Sequence, residues 1–175
     1  EIIARINHVV EFLFMKKVYL AGPDVFRVDS IEWGRYLKKC CRELGLQGLY
    51  PLDNDIAVSG SLHDTAKAIA FANMKMIRQA DGVVANLQWF RGKEPDSGTA
   101  FEVGVAIALN KPVWAYFPDQ GSLRDQVCAD QNGLDTAGLL VEDFDLPRNL
   151  MMACQWVGFS HSVEEAIQEM ARFLK

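Results

Sequence analysis

With 175 residues, half of them apolar and 23% charged, the chain can form one well-buried domain and does not fit a disordered tail, a coiled coil or a collagen-like repeat. Lys and Arg number 18 against 23 Asp and Glu, a formal net charge of -5 with no basic block. That balance argues against nucleic acid or an anionic membrane as partner and favours a small, neutral or weakly charged ligand.

Residues 1–14 read differently from the rest. They carry Glu1, Arg5 and Glu11, end in Phe12-Leu13-Phe14, and lack the basic start and small-residue cleavage site of a signal peptide. Met15-Lys16-Lys17 reads as a natural start. Residues 1–14 are therefore expected to be an upstream or added extension, or alternatively a short amphipathic helix, and 15–175 a single domain.

From Lys17 onward short apolar runs alternate with longer amphipathic ones. Strands are predicted at 17–21, 46–50, 82–87, 113–117 and 155–159, each short and mostly apolar, as in a parallel sheet buried on both faces. Helices are predicted at 30–44, 64–79, 99–109 and 162–174. Capping-box patterns open three of them: Asp29 with Glu32, Thr99 with Glu102, and Ser162 with Glu165. Within 64–79, Ile69, Asn73 and Ile77 recur at helical spacing. The alternation predicts an α/β sandwich around a five-stranded, mostly parallel sheet. In such folds ligands bind beyond the carboxyl ends of the strands. That rim comprises 22–26, 51–55, 88–98 and the stretch from Pro118, all rich in Gly, Pro, Asp and Asn.

Several chemistries lack support. Cys40, Cys41, Cys128 and Cys154 fit neither a zinc pattern nor a disulfide framework and read as reduced thiols of a cytoplasmic protein. No apolar run reaches the roughly 18 residues of a membrane span. The Gly22-Pro23-Asp24 loop follows the first strand, yet neither a dinucleotide fingerprint nor a Walker pattern is present. There is no nucleophile elbow, and His8, His63 and His161 are scattered. Neither cofactor nor metal is expected.

The segment Asp96-Ser97-Gly98-Thr99-Ala100-Phe101-Glu102-Val103-Gly104 is more pointed. It sets two carboxylates around a strand-to-helix turn, with Glu102 expected in the first helical turn, where the helix dipole favours its ionised form. An ionised carboxylate in a cleft can attack an electrophilic carbon, as in retaining glycosidases. Spacing alone equally allows Glu102 to be a helix cap.

This segment, together with Tyr19-Leu20-Ala21-Gly22-Pro23, Pro51-Leu52-Asp53-Asn54 and Ala80-Asp81 before an apolar strand, resembles the nucleoside 2-deoxyribosyltransferase family from about Met15 to Met152. The resemblance implies a flavodoxin-like doubly wound fold and exchange of the base on a 2-deoxynucleoside, as in nucleoside salvage. Glu102 would attack the anomeric carbon and form a covalent deoxyribosyl-enzyme that a second base resolves with retention. Tyr19 would orient that nucleophile. Asp96 would grip the sugar hydroxyls, and Phe26 and Gly22 would border the base. Asn149 and Met151 would be lent by a neighbouring subunit, implying a homo-oligomer. The partners would be 2-deoxynucleosides and free bases.

The chain departs from the family pattern at two positions. Asn73 stands where many relatives carry an acid near the leaving base, so it can hydrogen-bond a base but cannot protonate it as an acid. Protonation would then fall to Asp55 or to water. Asp55 itself stands where some relatives have a glutamine that reads the base edge. One rival reading is an N-glycosidase of deoxynucleoside 5-monophosphates with water as acceptor. The acidic rim, with Asp24, Asp53, Asp55, Glu94 and Asp96 against Arg27, Arg91 and Lys93, disfavours it. Another is a nucleotide-sensing module in which Glu102 merely caps a helix.

Overall fold

The structure, a computed structural model, describes residues 15–54, 56 and 60–175. The expectations for residues 1–14 and for Asp55 lie outside the described residues. The strands are β1 (Lys16–Ala21), β2 (Leu46–Leu49), β3 (Gly82–Asn86), β4 (Val113–Tyr116) and β5 (Gly158–Ser160). They pair in the order β2-β1-β3-β4-β5, and every pairing is parallel. The helices are α1 (Ser30–Glu43), α2 (Leu62–Gln79), α3 (Ser97–Ala108), the short α4 (Leu123–Gln126) and α5 (Leu150–Ala153), and α6 (Val163–Phe173).

Strand periodicity divides the core. In β1, Val18 and Leu20 face one side, where they meet Leu37 and Cys41 of α1 and Ile167 and Met170 of α6. Tyr19 and Ala21 face the other side, against Ile77 of α2 and Val103 and Ala106 of α3. Every residue of β3, the central strand, is buried, as expected for a strand covered on both faces. Gly82 fits because Met170 fills its space: an added Cβ would lie 2.8 Å from the sulfur.

The chain leaves β1 for β2 on one side and returns to β3 on the other. This order is the flavodoxin-like one, and its switch point, where a ligand crevice opens, lies between β1 and β3. At the opposite ends of these strands, Asp81 pins them together. Its carboxylate accepts from the Lys17 amide at 2.7 Å, and its own amide donates to the Lys17 carbonyl at 2.7 Å. The Ala80-Asp81 pair is therefore scaffold, remote from the strand ends that carry a ligand. Asp53 acts similarly behind β2, accepting from the Tyr50 amide at 3.0 Å and pairing with Lys38.

Three local expectations change. Asp29 precedes α1 but caps nothing, because Arg27 holds both of its carboxylate oxygens at 2.8 Å. The last strand begins at Gly158 rather than residue 155, since Gln155 and Trp156 donate their amides to Met152 and close the end of α5. The second helix starts at Leu62, two residues early, because Ser61 and Asp64 form its capping box.

Candidate active site

The site is built around α3. Its N-cap is Asp96, whose Oδ2 accepts from the Thr99 amide at 2.8 Å and the Thr99 hydroxyl at 2.9 Å. The expected Thr99–Glu102 capping box is therefore absent: Thr99 is buried inside the helix with its hydroxyl spent on Asp96. This shift of the helix start puts Glu102 in the second turn, clear of the N–H groups at the helix end. The carboxylate is thus released from the backbone to face a ligand.

Glu102 lies over β1, where the hydroxyl of fully buried Tyr19 donates to its Oε1 at 2.6 Å. Burial pushes the Glu102 carboxyl up to about 7. The Tyr19 hydrogen bond opposes that rise, and the nearby Asp96 charge adds to it. The dipole-favoured ionisation expected from a first-turn position is thereby corrected: burial dominates. Tyr19 is held far above its usual value, chiefly by burial and then by the Glu102 charge, so it remains a hydroxyl donor.

A cavity of about 350 Å³ opens in front of Glu102. Ile69, Asn73 and Met74 of α2 form one wall, and Gly98 and Phe101 of α3 the other. The four-residue spacing of Ile69 and Asn73 aims both at this space. The amide oxygen of Asn73 is buried without a protein partner among the described residues. Gly98 keeps the wall low beside Asp96: an added Cβ would lie 3.1 Å from Oδ2. This volume and largely apolar lining, with a few polar groups, are typical of a small-molecule site.

Other anticipated residues sit around this cavity rather than in its walls. Gly22 is extended and lies against Asn86 and Asp24, where an added Cβ would approach to 2.7 and 2.6 Å. Phe26 is 60% exposed and stacks on Phe90, ring centres 5.5 Å apart, with the Arg91 guanidinium 4.6 Å from the Phe90 ring. Asn149 pairs with Glu142 and caps α5, while Met151 is 70% exposed. Neither Asn149 nor Met151 lines the chain's own cavity.

Two buried networks were not anticipated. Asp24 accepts from Asn86 Nδ2 at 3.0 Å and the Tyr116 hydroxyl at 3.2 Å, joining the ends of β1, β3 and β4. Arg148 is fully buried and donates to the Leu87 carbonyl, Gln126 Oε1, the Pro147 carbonyl and Gln120 Oε1. Its guanidinium also lies 4.0 Å over the Phe117 ring. The only signal in the sequence was a lone Arg beside Pro147. Among the described residues no cluster of three His, Cys, Asp or Glu side chains converges on a metal-sized point, and no helix is long and apolar enough to cross a membrane.

A half-buried carboxylate gripped by a tyrosine, facing an apolar cavity at the strand ends of this fold, is an arrangement suited to glycosyl transfer. The family model described as nucleoside 2-deoxyribosyltransferase matches residues 18–151, and the chain belongs to that family. It is 32% identical to a 2-deoxyribosyltransferase from Leishmania mexicana, covering 90% of this chain and 97% of that one with a TM-score of 0.73. A 2-deoxyribosyltransferase from Bacillus psychrosaccharolyticus shares the fold at 20% identity and a TM-score of 0.58, over 86% of this chain and 90% of that one. An uncharacterized protein, C191.05c, of Schizosaccharomyces pombe is 36% identical over 105 residues, 58% of this chain and 50% of that protein's length. The match thus spans half of that curated relative.

Proposed function

We propose that this protein moves the 2-deoxyribosyl group of a 2-deoxynucleoside from one base to another by double displacement at Glu102. The observation that carries the reading is the Tyr19–Glu102 hydrogen bond of 2.6 Å beneath a nucleoside-sized cavity. Tyr19 aims one carboxylate oxygen, which leaves the other to approach the anomeric carbon. As the bond to the base breaks, positive charge develops on the sugar ring. A carboxylate in a partly desolvated site stabilises that charge before bonding to it. A second base then attacks the ester from the face the first one left, giving net retention.

Asp96 keeps Oδ1 open for the sugar, since capping uses only Oδ2. Asn149 and Met151, which do not line the chain's own cavity, serve the site of a neighbouring copy in a homo-oligomer. An unphosphorylated donor fits better than a 5-phosphate. No cationic side chain lines the cavity among the described residues, and Arg27 and Lys93 are already held by Asp29 and the Gln126 carbonyl.

The test is one incubation with 2-deoxyinosine and adenine, resolved by chromatography. Formation of 2-deoxyadenosine in step with hypoxanthine, lost in Glu102→Ala, is the expected result. Release of hypoxanthine without 2-deoxyadenosine would make water the acceptor and overturn the transfer reading.

A further inference from the structure

We infer, on the reading that Asn149 serves the site of a neighbouring copy, that Glu142 is a positioning residue for the transfer: it fixes the Asn149 side-chain amide so that one donor and one acceptor meet the neighbour's sugar. Both oxygens of the Glu142 carboxylate are engaged at the start of α5. Oε1 accepts from Asn149 Nδ2, and Oε2 accepts from the Leu150 amide at 3.0 Å. From the other side, Asn149 Oδ1 accepts from the Met151 amide at 3.0 Å. An ionised carboxylate can only accept and a backbone N–H can only donate. Together these two neighbours allow one orientation of the Asn149 amide and forbid the flipped one.

What Asn149 still offers follows by subtraction. One Nδ2 hydrogen and one Oδ1 lone pair remain. A hydroxyl both donates and accepts, so a sugar hydroxyl satisfies the pair. A phosphate oxygen accepts only, and it would meet the Oδ1 lone pair unfavourably. With both of its own oxygens on α5, Glu142 acts through Asn149 and not on the sugar.

Glu142 is itself held in place. The stretch before it repeats Asp-x-x-Gly-Leu twice, at 130–134 and 135–139. In each copy the Asp carboxylate accepts from the amides two and four residues on, at 2.8 and 2.9 Å, and the glycine takes a positive φ. The Val141 amide then donates to the Gly133 carbonyl at 3.0 Å, and beyond Glu142 the Leu146 carbonyl accepts from the Leu123 amide at 2.9 Å. The backbone is thus anchored on both sides of Glu142, so its carboxylate reaches α5 from a braced segment.

The experiment joins a double-mutant cycle to subunit mixing, with 2-deoxyinosine and adenine as substrates. Glu142→Ala should lower kcat/KM by about 10–100-fold, as for a group displaced by about 1 Å. In an Asn149→Ala background the same substitution should change it by less than about twofold, because the residue it positions is gone. An equal loss with and without Asn149 would show a merely structural role and overturn the inference. Glu142→Gln, whose single oxygen replaces two acceptors, should show the same pattern more weakly, and it carries the cycle if Glu142→Ala does not fold. For mixing, differently tagged Glu102→Ala and Glu142→Ala chains are co-expressed and the doubly tagged assembly is purified. Activity well above either variant alone is expected, since a site with intact Glu102 then receives Asn149 from a copy with intact Glu142. Failure of this mixture, where Glu102→Ala with Asn149→Ala recovers, would put Glu142 in the service of its own chain's site and overturn the inference. Failure of both mixtures would remove the lending of Asn149, and this inference with it, while leaving transfer at Glu102 intact.

Discussion

Glu102→Gln is expected to make the protein more stable while removing its activity. The carboxyl rises from its ordinary 4.5 to about 7 in the folded chain, mainly through burial. A raised carboxyl means that the folded state holds the proton more tightly than the unfolded state does. Wild-type stability therefore falls as pH rises from about 4.5 to about 7 and stays low above that range. At about 1.36 kcal/mol per pH unit the full effect is about 3.4 kcal/mol, and partial solvent access reduces it to about 2–3 kcal/mol. Glutamine carries no charge to desolvate, and its carbonyl can still accept from the Tyr19 hydroxyl. Urea unfolding of both proteins should show near-equal stability at about pH 4 and a Gln advantage of about 2–3 kcal/mol at about pH 8. Equal stabilities at the higher pH, or a wild-type advantage, would mean that the carboxylate is not desolvated and would refute the reasoning.

Tyr19→Phe removes the donor without altering the packing, so kcat should fall about 10–100-fold, in line with a charge-assisted hydrogen bond of about 1.5–3 kcal/mol. Because that bond holds the Glu102 carboxyl down, the rising limb of the pH–rate profile should also move to higher pH in Tyr19→Phe. Arg148→Ala leaves the Leu87 carbonyl and Gln120 Oε1 without their donor and opens a buried void, so a loss of about 3 kcal/mol or more is expected in denaturant titration, with a smaller loss expected from the half-buried Arg124→Ala. Gly22→Ala drives a methyl against Asn86 and Asp24, so about 1–3 kcal/mol of stability should be lost; a neutral outcome in thermal melts would show that the loop yields freely.

The sheet was legible because its strands are short apolar runs punctuated by Gly, Pro and Asp, a pattern that few other architectures share. Helix starts were less legible. Thr99 and Glu102 match the capping-box spacing, yet the helix starts three residues earlier because the Asp96 carboxylate accepts from both the amide and the hydroxyl of Thr99. Asp29 likewise has the composition of a cap and loses it to Arg27, a competition between neighbours that spacing does not encode. Glu102 and Asn73 could be singled out through the family resemblance, since spacing alone left Glu102 equally readable as a helix cap. Arg148 could not, since the carbonyls and amides it ties together come from segments up to 61 residues away.

Arg148 also bears on how this chain can vary. The guanidinium fastens both ends of the stretch from Gln126 to Pro147, donating to Gln126 Oε1 at 3.0 Å and to the Pro147 carbonyl, while its Nε reaches the end of β3 at Leu87. The intervening residues are therefore closed into a loop at this side chain, with Glu142 tying the loop to Asn149 and the Leu150 amide, and the Leu146 carbonyl tying it to the Leu123 amide. Insertions or deletions there change the outline of the molecule and leave Glu102, Tyr19 and Asn73 where they are. A homologue that keeps this arginine and Glu142 can rebuild the rest of the loop for a different partner, whereas one that loses either must find another way to hold Asn149 in place.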